Sequence, residues 1–410
     1  MHATPSCRHC HQDLIHSVVD LGVTPLANSY LKEDDLEKGE TFFPLHVRVC
    51  GDCWLVQVPE FESREKIFTD YAYFSSFSDS WVEHARCYSE QMRARFHLNE
   101  NSFVLELASN DGYLLKHFVA EGIPCMGIEP AKNVAAAAEQ AGIPTLAEFF
   151  GLDLAERLVA RGHSADLVVA NNVLAQVPQL QDFVAGIERV LKEDGVVTVE
   201  FPHLLKTLDK NEFDTVYHEH FSYFSFHAVE KIFTANGIRL FDVEELPTHG
   251  GSIRIFGCRV GASHGTSDRV PQMKAREEAA GLLALDTYKS FHLRAEKVKR
   301  DLLRFLIDAR DAGKKVVGYG APAKGNTLLN FCGIKPDLLS FTVDKSPHKQ
   351  GCFLPGSRIP VHAPAALIEA KPDYVLILPW NLADEIMQQT AFIRQWGGKF
   401  VMPIPELQIL

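Results

Sequence analysis

Short apolar runs alternate with amphipathic segments through the middle of this chain. The runs are bounded by turn residues, which predicts buried strands at residues 103–107, 124–128, 166–170 and 196–201. The segments between them carry apolar residues at helical spacing, which predicts helices over 112–120, 132–140 and 180–191. Such alternation predicts a parallel sheet with helices on both faces.

A second α/β unit follows a long charged segment. Residues 273–312 are rich in Lys, Arg and Glu and predict one long helix. The remaining predicted elements are strands at 43–49, 315–320, 341–344 and 374–378, a helix over 81–96 capped by Ser78 or Asp79, and a helix that begins near Asn326. We therefore expect an α/β protein with three parts, divided as 1–65, 66–270 and 271–410.

Charge and hydropathy limit the classes of partner. The chain has 410 residues and a net charge of -12, which argues against nucleic acid or an anionic membrane as a partner. No apolar run approaches the roughly 20 residues of a membrane span. No apolar segment follows the first residues, so we expect a cytoplasmic protein without a signal peptide, either a monomer or a weak homo-oligomer.

Two C-x-x-C knuckles indicate a metal site near the N-terminus. Cys7 and Cys10 form the first, and Cys50 and Cys53 form the second. Four thiolates can surround Zn²⁺ tetrahedrally and leave no position for water, so the predicted role of the metal is structural. A disulfide or redox pair is the alternative, although thiols stay reduced in the expected compartment.

The strand at 103–107 runs into a tight turn that is typical of a cofactor site. The sequence V-L-E-L-A-S-N-D-G-Y lacks the G-x-G-x-x-G pattern of dinucleotide folds. It resembles motif I of class I S-adenosylmethionine methyltransferases instead. The candidate residues in this turn are Glu106, Ala108, Ser109, Asn110, Asp111 and Gly112, with Ala108 and Asn110 standing where the family usually has glycine.

Further cofactor candidates follow at the ends of later strands. Glu129 ends the next strand, where a carboxylate can accept both ribose hydroxyls. Phe149 and Phe150 can offer an apolar wall for adenine, and Asn171 and Asn172 end the following strand near the expected reacting centre.

The densest group of chemically active side chains is Tyr217, His218, Glu219 and His220. Histidine has an unperturbed pKa close to neutrality, so it suits proton abstraction at cellular pH. The cluster follows the strand at 196–201, where an α/β domain presents its catalytic residues. A helix cap with the two histidines on different faces is the alternative.

Taken together, these motifs resemble the zinc-containing, S-adenosylmethionine-dependent sugar C-methyltransferases of deoxysugar biosynthesis. The resemblance covers essentially the whole chain and is carried by the paired knuckles and by Y-A-Y-F-S-S-F-S, E-L-A-S-N-D-G, N-N-V-L-A, Y-H-E-H, H-G-G-S-I-R and G-Y-G-A-P-A-K-G-N-T-L-L-N. It implies a zinc-binding module at 1–65, a class I methyltransferase Rossmann-like domain at 66–270 and a C-terminal Rossmann-like domain at 271–410.

The resemblance also implies a reaction and roles for residues. The implied substrate is a nucleotide-linked 4-keto-6-deoxysugar that is methylated at C3. His220 is implied as the base, with Tyr217, Glu219 and either Tyr71 or Tyr73 near the sugar. The chemistry agrees, because a base must remove the proton next to a ketone and a hydroxyl must stabilise the enolate that results.

The remaining candidates concern the substrate. His218 lies beside the implied base, and Arg254, in H-G-G-S-I-R, can bind a phosphate or remain solvated in a hairpin. Lys324 and Lys349 are candidate cations for the nucleotide diphosphate. Gly318, Gly320 and Gly325 with Asp344 leave an NAD site as an alternative. For the whole protein, the alternatives are an O- or N-methyltransferase and a non-catalytic zinc-bearing scaffold.

Overall fold

The computed structural model describes residues 4–68 and 74–410, and within them the strands form three sheets. Tyr71 and Tyr73 lie outside the described residues. The N-terminal module consists of β1 (His16–Thr24), β2 (Phe43–Val49), β3 (Val56–Gln57) and the short helix α1 (Arg64–Phe68). Its strands pair antiparallel, and each knuckle lies in a loop before or after a strand.

The central domain is a seven-stranded sheet with helices on both faces. Its elements are α2 (Asp79–Phe96), β4 (Val104–Leu107), α3 (Leu115–Ala120), β5 (Cys125–Ile128), α4 (Lys132–Gln140), β6 (Thr145–Leu146), α5 (Leu152–Ala160), β7 (Ala165–Asn171), α6 (Leu180–Val190), β8 (Leu191–Pro202), α7 (Leu204–Asp209), β9 (Ser222–Tyr223), α8 (Phe226–Ala235), β10 (Ile238–Leu246) and β11 (Ser252–Arg259). The order is β10-β11-β8-β7-β4-β5-β6, with β11 antiparallel to both of its neighbours.

The core of this domain explains why the strands are apolar runs. All four residues of β4 are buried, as are five consecutive residues of β7 from Leu167 to Asn171, because helices cover both faces of the sheet. The parallel strands β4, β5 and β7 end at the same edge, and ligands of such sheets bind there. The predicted cofactor residues therefore converge on one edge.

One strand of the central segment leaves that sheet. β9 pairs with β3, so that Val56 faces Tyr223 and Gln57 faces Ser222. The N-terminal module is thus a four-stranded sheet in the order β1-β2-β3-β9. The segment that follows His220 belongs structurally to the module with the cysteines.

The C-terminal domain has a six-stranded sheet. Its elements are α9 (Arg269–Ala279), α10 (Leu285–Asp311), β12 (Val316–Tyr319), α11 (Ala323–Cys332), β13 (Thr342–Val343), β14 (Val361–His362), α12 (Ala366–Ala370), β15 (Tyr374–Ile377), α13 (Ala383–Gln389), β16 (Lys399–Met402) and β17 (Gln408–Ile409). The order is β14-β13-β12-β15-β16-β17, with β17 antiparallel. The strand order reverses between β12 and β15, and such a switch point forms a ligand crevice.

The prediction of one long helix over 273–312 is wrong. The chain forms α9 and α10 with a break between them, where Gly281 has φ +78°. The Thr287 hydroxyl donates to the Gly281 carbonyl at 2.8 Å, and the Tyr288 hydroxyl donates to the Leu282 carbonyl at 2.7 Å. The break lets α9 pack on β10 while α10 packs along β1 of the N-terminal module. A glycine in the left-handed region is what such a change of direction requires.

Among the helices formed by residues 4–68 and 74–410, none combines the length and the apolar character that crossing a membrane demands.

Candidate active site and zinc centre

The four knuckle cysteines meet in one cluster. Their sulfur atoms all lie within 4.8 Å of one another, and Cys7, Cys50 and Cys53 are buried. The Cys7 and Cys53 sulfurs are 3.5 Å apart, and those of Cys10 and Cys50 are 3.4 Å apart. A tetrahedral zinc–thiolate site has sulfur–sulfur edges of about 3.8 Å, given Zn–S bonds of about 2.3 Å. The cluster therefore fits Zn²⁺, and four sulfurs leave no open position for substrate.

The turn after β4 has the backbone that the cofactor motif predicts. Ala108 has φ +55° and Asn110 has φ +50°, so both residues adopt the left-handed conformation that glycine would adopt more easily. Gly112 has φ +79°, and a Cβ there would lie 2.7 Å from the Ile143 side chain. The turn keeps its shape although two glycines of the pattern are missing.

Buried polar atoms without partners gather at this edge of the sheet. Among the described residues, Glu106 Oε2, Ser109 Oγ, Asp111 Oδ1, Asn171 Oδ1 and Asn172 Nδ2 are buried and make no hydrogen bond. A buried polar atom that is left without a hydrogen-bond partner costs about 1–3 kcal/mol. Burial, together with the charges of Glu129 and Asp111, raises the pKa of Glu106 well above its usual range. This concentration of unmet donors and acceptors fits a polar cofactor at the predicted place.

Glu129 holds the cofactor turn from the neighbouring strand. Its Oε2 accepts from the Asn110 backbone N–H at 3.0 Å, and its Oε1 accepts from the Ala131 N–H at 2.9 Å. Each carboxylate oxygen has a second lone pair, so ribose hydroxyls can still be bound. Burial raises the pKa of Glu129, and a hydroxyl donor would relieve that cost.

The two predicted aromatic wall residues differ in position. Phe150 is buried in the core and packs edge-on against Phe183 at a centroid distance of 5.5 Å. Phe149 is half-buried, with the Arg64 guanidinium 4.6 Å from its ring centre. Phe149 is therefore the only one of the pair with a face available at the surface of the fold.

The segment that begins at residue 74 is hydrogen-bonded to the cofactor turn. The Ser75 N–H donates to Asn110 Oδ1 at 2.8 Å, and the Ser76 N–H donates to Asp111 Oδ2 at 3.1 Å. Ser78 then caps α2 by accepting from the Trp81 N–H. The hydroxyl-rich stretch thus joins the cofactor edge to the helix that the sequence predicted.

Tyr217 and His220 form a hydrogen-bonded pair in the loop between α7 and β9. The His220 Nε2 lies 2.8 Å from the Tyr217 hydroxyl, and its Nδ1 lies 3.3 Å from the Thr215 carbonyl oxygen. A carbonyl can only accept, so Nδ1 carries the proton and the lone pair is on Nε2. Burial lowers the pKa of His220 to about 4, which keeps the imidazole neutral at physiological pH. The pair combines a basic nitrogen with a hydroxyl donor.

The residues between them face the other way. His218 is buried between the rings of Phe43 and Phe61, and its Nε2 lies 3.1 Å from the Pro44 carbonyl oxygen. Glu219 is buried and accepts from the Asn28 side chain at 3.2 Å. Both therefore contact the N-terminal module, and Glu219 has no hydrogen bond to His220. The Y-H-E-H residues do not cap the helix that follows, because the N-cap of α8 is Ser225 and residues 216–221 form a turn and an extended segment.

The burial of Glu219 predicts that the stability of the fold depends on pH. Burial raises the pKa of Glu219 to about 7, so the folded state favours its protonated form. The stability that this carboxyl contributes is present at low pH and is lost as pH rises through about 7. We expect Glu219→Gln to raise the melting temperature relative to wild type at pH 8 and to raise it much less at pH 5.5. The raised pKa of Glu219 corresponds to about 3 kcal/mol of stability. Equal differences in melting temperature between the variant and wild type at both pH values would contradict this prediction.

A second group of side chains lies beside the Tyr217–His220 loop, and Lys324 is the member of it that the sequence indicated. Asp214 accepts from the Trp380 indole N–H at 2.8 Å across 166 residues. The Lys324 ammonium lies 4.2 Å from the centre of the Trp380 ring and donates to Asn381 Oδ1 at 2.8 Å. Burial raises the pKa of Asp214 to about 6, and the charge of Lys324 opposes this rise. The crevice of the C-terminal sheet therefore touches the loop that holds His220.

Glu212 and His249 extend this group. Glu212 lies under the H-G-G turn, where a Cβ on Gly250 would come within 2.4 Å of its Oε1. Burial raises the pKa of Glu212 to about 7. His249 is exposed, and its ring lies edge-on to that of Trp81 at a centroid distance of 5.2 Å. The signal for Glu212 and Asp214 was their position in N-E-F-D-T, which only Val216 separates from Y-H-E-H.

Arg254 and Lys349 both donate hydrogen bonds to groups inside the protein. Arg254 is 2% exposed and donates to Glu200 Oε2 at 2.8 Å, so the solvated hairpin arginine is wrong. Burial alone would raise the pKa of Glu200, but the hydrogen bond from His84 and the charge of Arg254 outweigh it and lower this pKa to about 2. Lys349 donates to the Ala321 carbonyl at 2.9 Å. These two cations support loops, while Lys324 lies at the mouth of the crevice.

The glycines of the C-terminal unit are explained by packing. A Cβ on Gly318 would lie 2.6 Å from Thr342 Oγ1, and one on Gly320 would lie 2.5 Å from Pro379 Cδ. Asp344, at the place of an NAD-ribose acid, accepts from the Ala321 N–H at 2.7 Å. The close packing at Gly318 and Gly320 therefore accounts for both glycines without a bound dinucleotide.

Three family models match the chain in order. A zinc binding domain matches residues 7–68, a methyltransferase domain matches residues 81–243, and a C-methyltransferase C-terminal domain matches residues 247–405. The zinc-binding prediction for the four cysteines and the predicted fold class are confirmed.

A curated relative spans nearly the whole chain. It is the C-methyltransferase NovU of Streptomyces niveus, which is 36% identical over 98% of this chain and 96% of its own length. A C-methyltransferase as a full-length relative favours carbon over oxygen or nitrogen as the methylated atom. It also favours an enzyme over a non-catalytic zinc-bearing scaffold.

The solved structures to which the chain is similar are more distant. An S-adenosylmethionine-dependent methyltransferase from Clostridium acetobutylicum has a TM-score of 0.35 and 10% identity, and covers 44% of this chain and 92% of its own. The PH0226 protein of Pyrococcus horikoshii has a TM-score of 0.38 and 14% identity, and covers 49% of this chain and 100% of its own. The family models and the full-length relative decide the assignment. The chain belongs to the zinc-containing C-methyltransferase family whose motifs it carries, and it is an S-adenosylmethionine-dependent C-methyltransferase.

Proposed function

We propose that this enzyme methylates a carbon next to the ketone of a nucleotide-linked 4-keto-6-deoxysugar, at C3, with His220 as the base. The observation that carries the proposal is the contact between Asp214 and Trp380. It joins the loop of the Tyr217–His220 pair to the ligand crevice of the C-terminal sheet. A substrate with a reactive sugar at one end and a charged nucleotide at the other matches such a two-part site.

The proton-transfer half of the proposal depends on the tautomer of His220. Its Nε2 carries a lone pair and its Nδ1–H points to the Thr215 carbonyl. A ketone acidifies the neighbouring C–H bond, and Nε2 accepts that proton while the electron pair moves into the carbonyl to form an enolate. Before the reaction the Tyr217 hydroxyl donates to Nε2 at 2.8 Å; once Nε2 has taken the substrate proton, this hydroxyl can donate to the enolate oxygen instead.

The methyl donor belongs at the opposite side of the reacting carbon. When bound, S-adenosylmethionine supplies an electrophilic methyl group. Glu106, Asn110, Asp111 and Glu129 would hold it at the edge of the sheet, and Asn171 and Asn172 face the same edge. Phe149, Tyr71 and Tyr73 remain proposals for adenine and sugar contacts.

The nucleotide half depends on Lys324. Its ammonium stands at the N-terminal turn of α11, where the helix dipole also favours an anion. Asp214 and Glu212 lie nearby, and burial lowers the pKa of Lys324. A diphosphate would compensate the desolvated ammonium. Arg254, Lys349, His218 and Glu219 are proposed to shape the site from behind.

The test is a screen of nucleotide-linked keto-sugars with S-adenosylmethionine, followed by mass spectrometry. We expect a mass gain of one methylene with a 4-keto-6-deoxysugar and none with its 4-hydroxy counterpart. NMR of the product separates methylation at C3 from methylation at C5, because the C4 ketone acidifies both positions. A methyl group on oxygen or nitrogen, or equal turnover of the 4-hydroxy sugar, would overturn the proposal.

A further inference from the structure

Arg8 connects the zinc knuckle directly to the loop of His220. It follows Cys7 in the chain and is half-buried. Its Nη1 donates to the Phe221 carbonyl at 2.6 Å and to the Ser222 hydroxyl at 3.2 Å. Its Nη2 donates to the Val58 carbonyl at 2.6 Å. One guanidinium therefore joins the carbonyl of Phe221, the residue that follows His220, to the carbonyl of Val58 directly after β3.

The Arg8 backbone is fixed from the other side by Gln57. The Gln57 Oε1 accepts from the Arg8 N–H at 3.0 Å, and its Nε2 donates to the Cys7 sulfur at 3.2 Å. Gln57 is 1% exposed and faces Ser222 across the β3–β9 pair. A continuous set of hydrogen bonds thus runs from a zinc-ligand sulfur to the backbone of the catalytic loop.

The same carbonyl is central to the loop's position. Phe221 O accepts from the Val58 N–H at 3.0 Å as well as from Arg8, and the Phe221 N–H donates to the Ala175 carbonyl at 2.7 Å. The Arg8 guanidinium also lies 5.5 Å from the centre of the Phe221 ring. Phe221 is therefore fixed on three sides, while its neighbour His220 projects toward Tyr217.

We infer that Arg8 is a positioning residue that couples the zinc knuckle to the geometry of His220. The inference rests on the proposed function of His220 as the base. Lysine cannot replace arginine here, because a single ammonium cannot reproduce the planar fork that reaches the Phe221 and Val58 carbonyls together. A displacement of about 1 Å at a base can lower turnover by about 100-fold.

The test compares Arg8→Lys with wild type in the zinc-loaded full chain. We expect kcat to fall by about 10- to 100-fold, with an unchanged KM for the sugar nucleotide, unchanged S-adenosylmethionine affinity by calorimetry and wild-type zinc content. Deuterium uptake at the carbon next to the ketone should fall by the same factor. Added guanidinium should restore part of the turnover of Arg8→Ala.

Lys231→Met is the matched control. Lys231 also ties the central domain to a knuckle, since it donates to the Asp52 carbonyl at 2.9 Å, a group outside the loop at 217–223. We expect its kcat to stay within about twofold of wild type, below the scale of a misplaced base. His220→Asn serves as the inactive reference.

The outcomes separate the two proposals. A wild-type kcat in Arg8→Lys, beside an inactive His220→Asn, would overturn the inference and leave the base assignment standing. Loss of zinc or of the folded state in proportion to activity, in both Arg8 variants, would also overturn it, because Arg8 would then act only on stability. Full activity in His220→Asn would overturn the proposed function itself.

Discussion

Replacing His220 by asparagine is expected to abolish turnover while leaving S-adenosylmethionine affinity close to that of wild type. The change removes the Nε2 lone pair that faces the Tyr217 hydroxyl. General base catalysis contributes about 10²- to 10⁴-fold, so kcat should fall by that amount or more. The proposed cofactor residues lie on the turn after β4 and at the end of β5, and the change does not alter them. Steady-state kinetics and calorimetry on the same preparation measure both quantities.

The control for this prediction is His97→Asn. His97 is exposed and caps α2 with φ +52°, a conformation that asparagine tolerates well. It should therefore retain full activity and the wild-type melting temperature. A near-normal kcat in His220→Asn would refute the assignment, whereas loss of cofactor binding would indicate that the loop, rather than the base, had been damaged.

Replacing Cys50 by serine is expected to cause the largest loss of stability. Cys50 is fully buried, and its sulfur lies 3.4 Å from that of Cys10. Structural zinc contributes about 10–16 kcal/mol to small zinc modules, so removing one thiolate should cost more than about 4 kcal/mol. We expect zinc content well below that of wild type, a lower melting temperature and reduced activity, because β9 pairs with the module that contains Cys50.

Cys87→Ser provides the comparison for the zinc site. Cys87 is exposed on α2, away from the four-sulfur cluster. Its replacement should leave zinc content and melting temperature unchanged. Wild-type zinc content in Cys50→Ser would contradict a four-cysteine site.

The sequence predicted elements best where the signal is local. The bounds of β2 and α4 match the predicted residues 43–49 and 132–140. The knuckles are also local, because C-x-x-C brings two sulfurs together by spacing alone. The turn after β4 was recognised even without two of its glycines, since Ala108 and Asn110 take the same left-handed conformation.

What the sequence could not predict depends on distant contacts. The break at Gly281 arises because α9 and α10 pack on different domains, and a lone glycine does not reveal that. The pairing of β9 with β3 joins segments more than 160 residues apart. Asp214, Trp380 and Lys324 form one group only after the central and C-terminal domains have met.

The Y-H-E-H motif combines a property that the sequence could predict with one that it could not. Its histidine and tyrosine chemistry could be inferred from residue types. The direction of each side chain could not, because residues 216–221 have no regular periodicity from which faces could be assigned. The structure directs His218 and Glu219 toward the N-terminal module and leaves Tyr217 and His220 paired.

The most direct measurement is deuterium uptake in D₂O at C3 of a nucleotide-linked 4-keto-6-deoxysugar, followed by NMR with S-adenosylhomocysteine present. Wild type and His97→Asn should exchange this hydrogen much faster than buffer alone, and His220→Asn should exchange it at the buffer rate. Exchange by His220→Asn at the wild-type rate would contradict the role of His220 as the base.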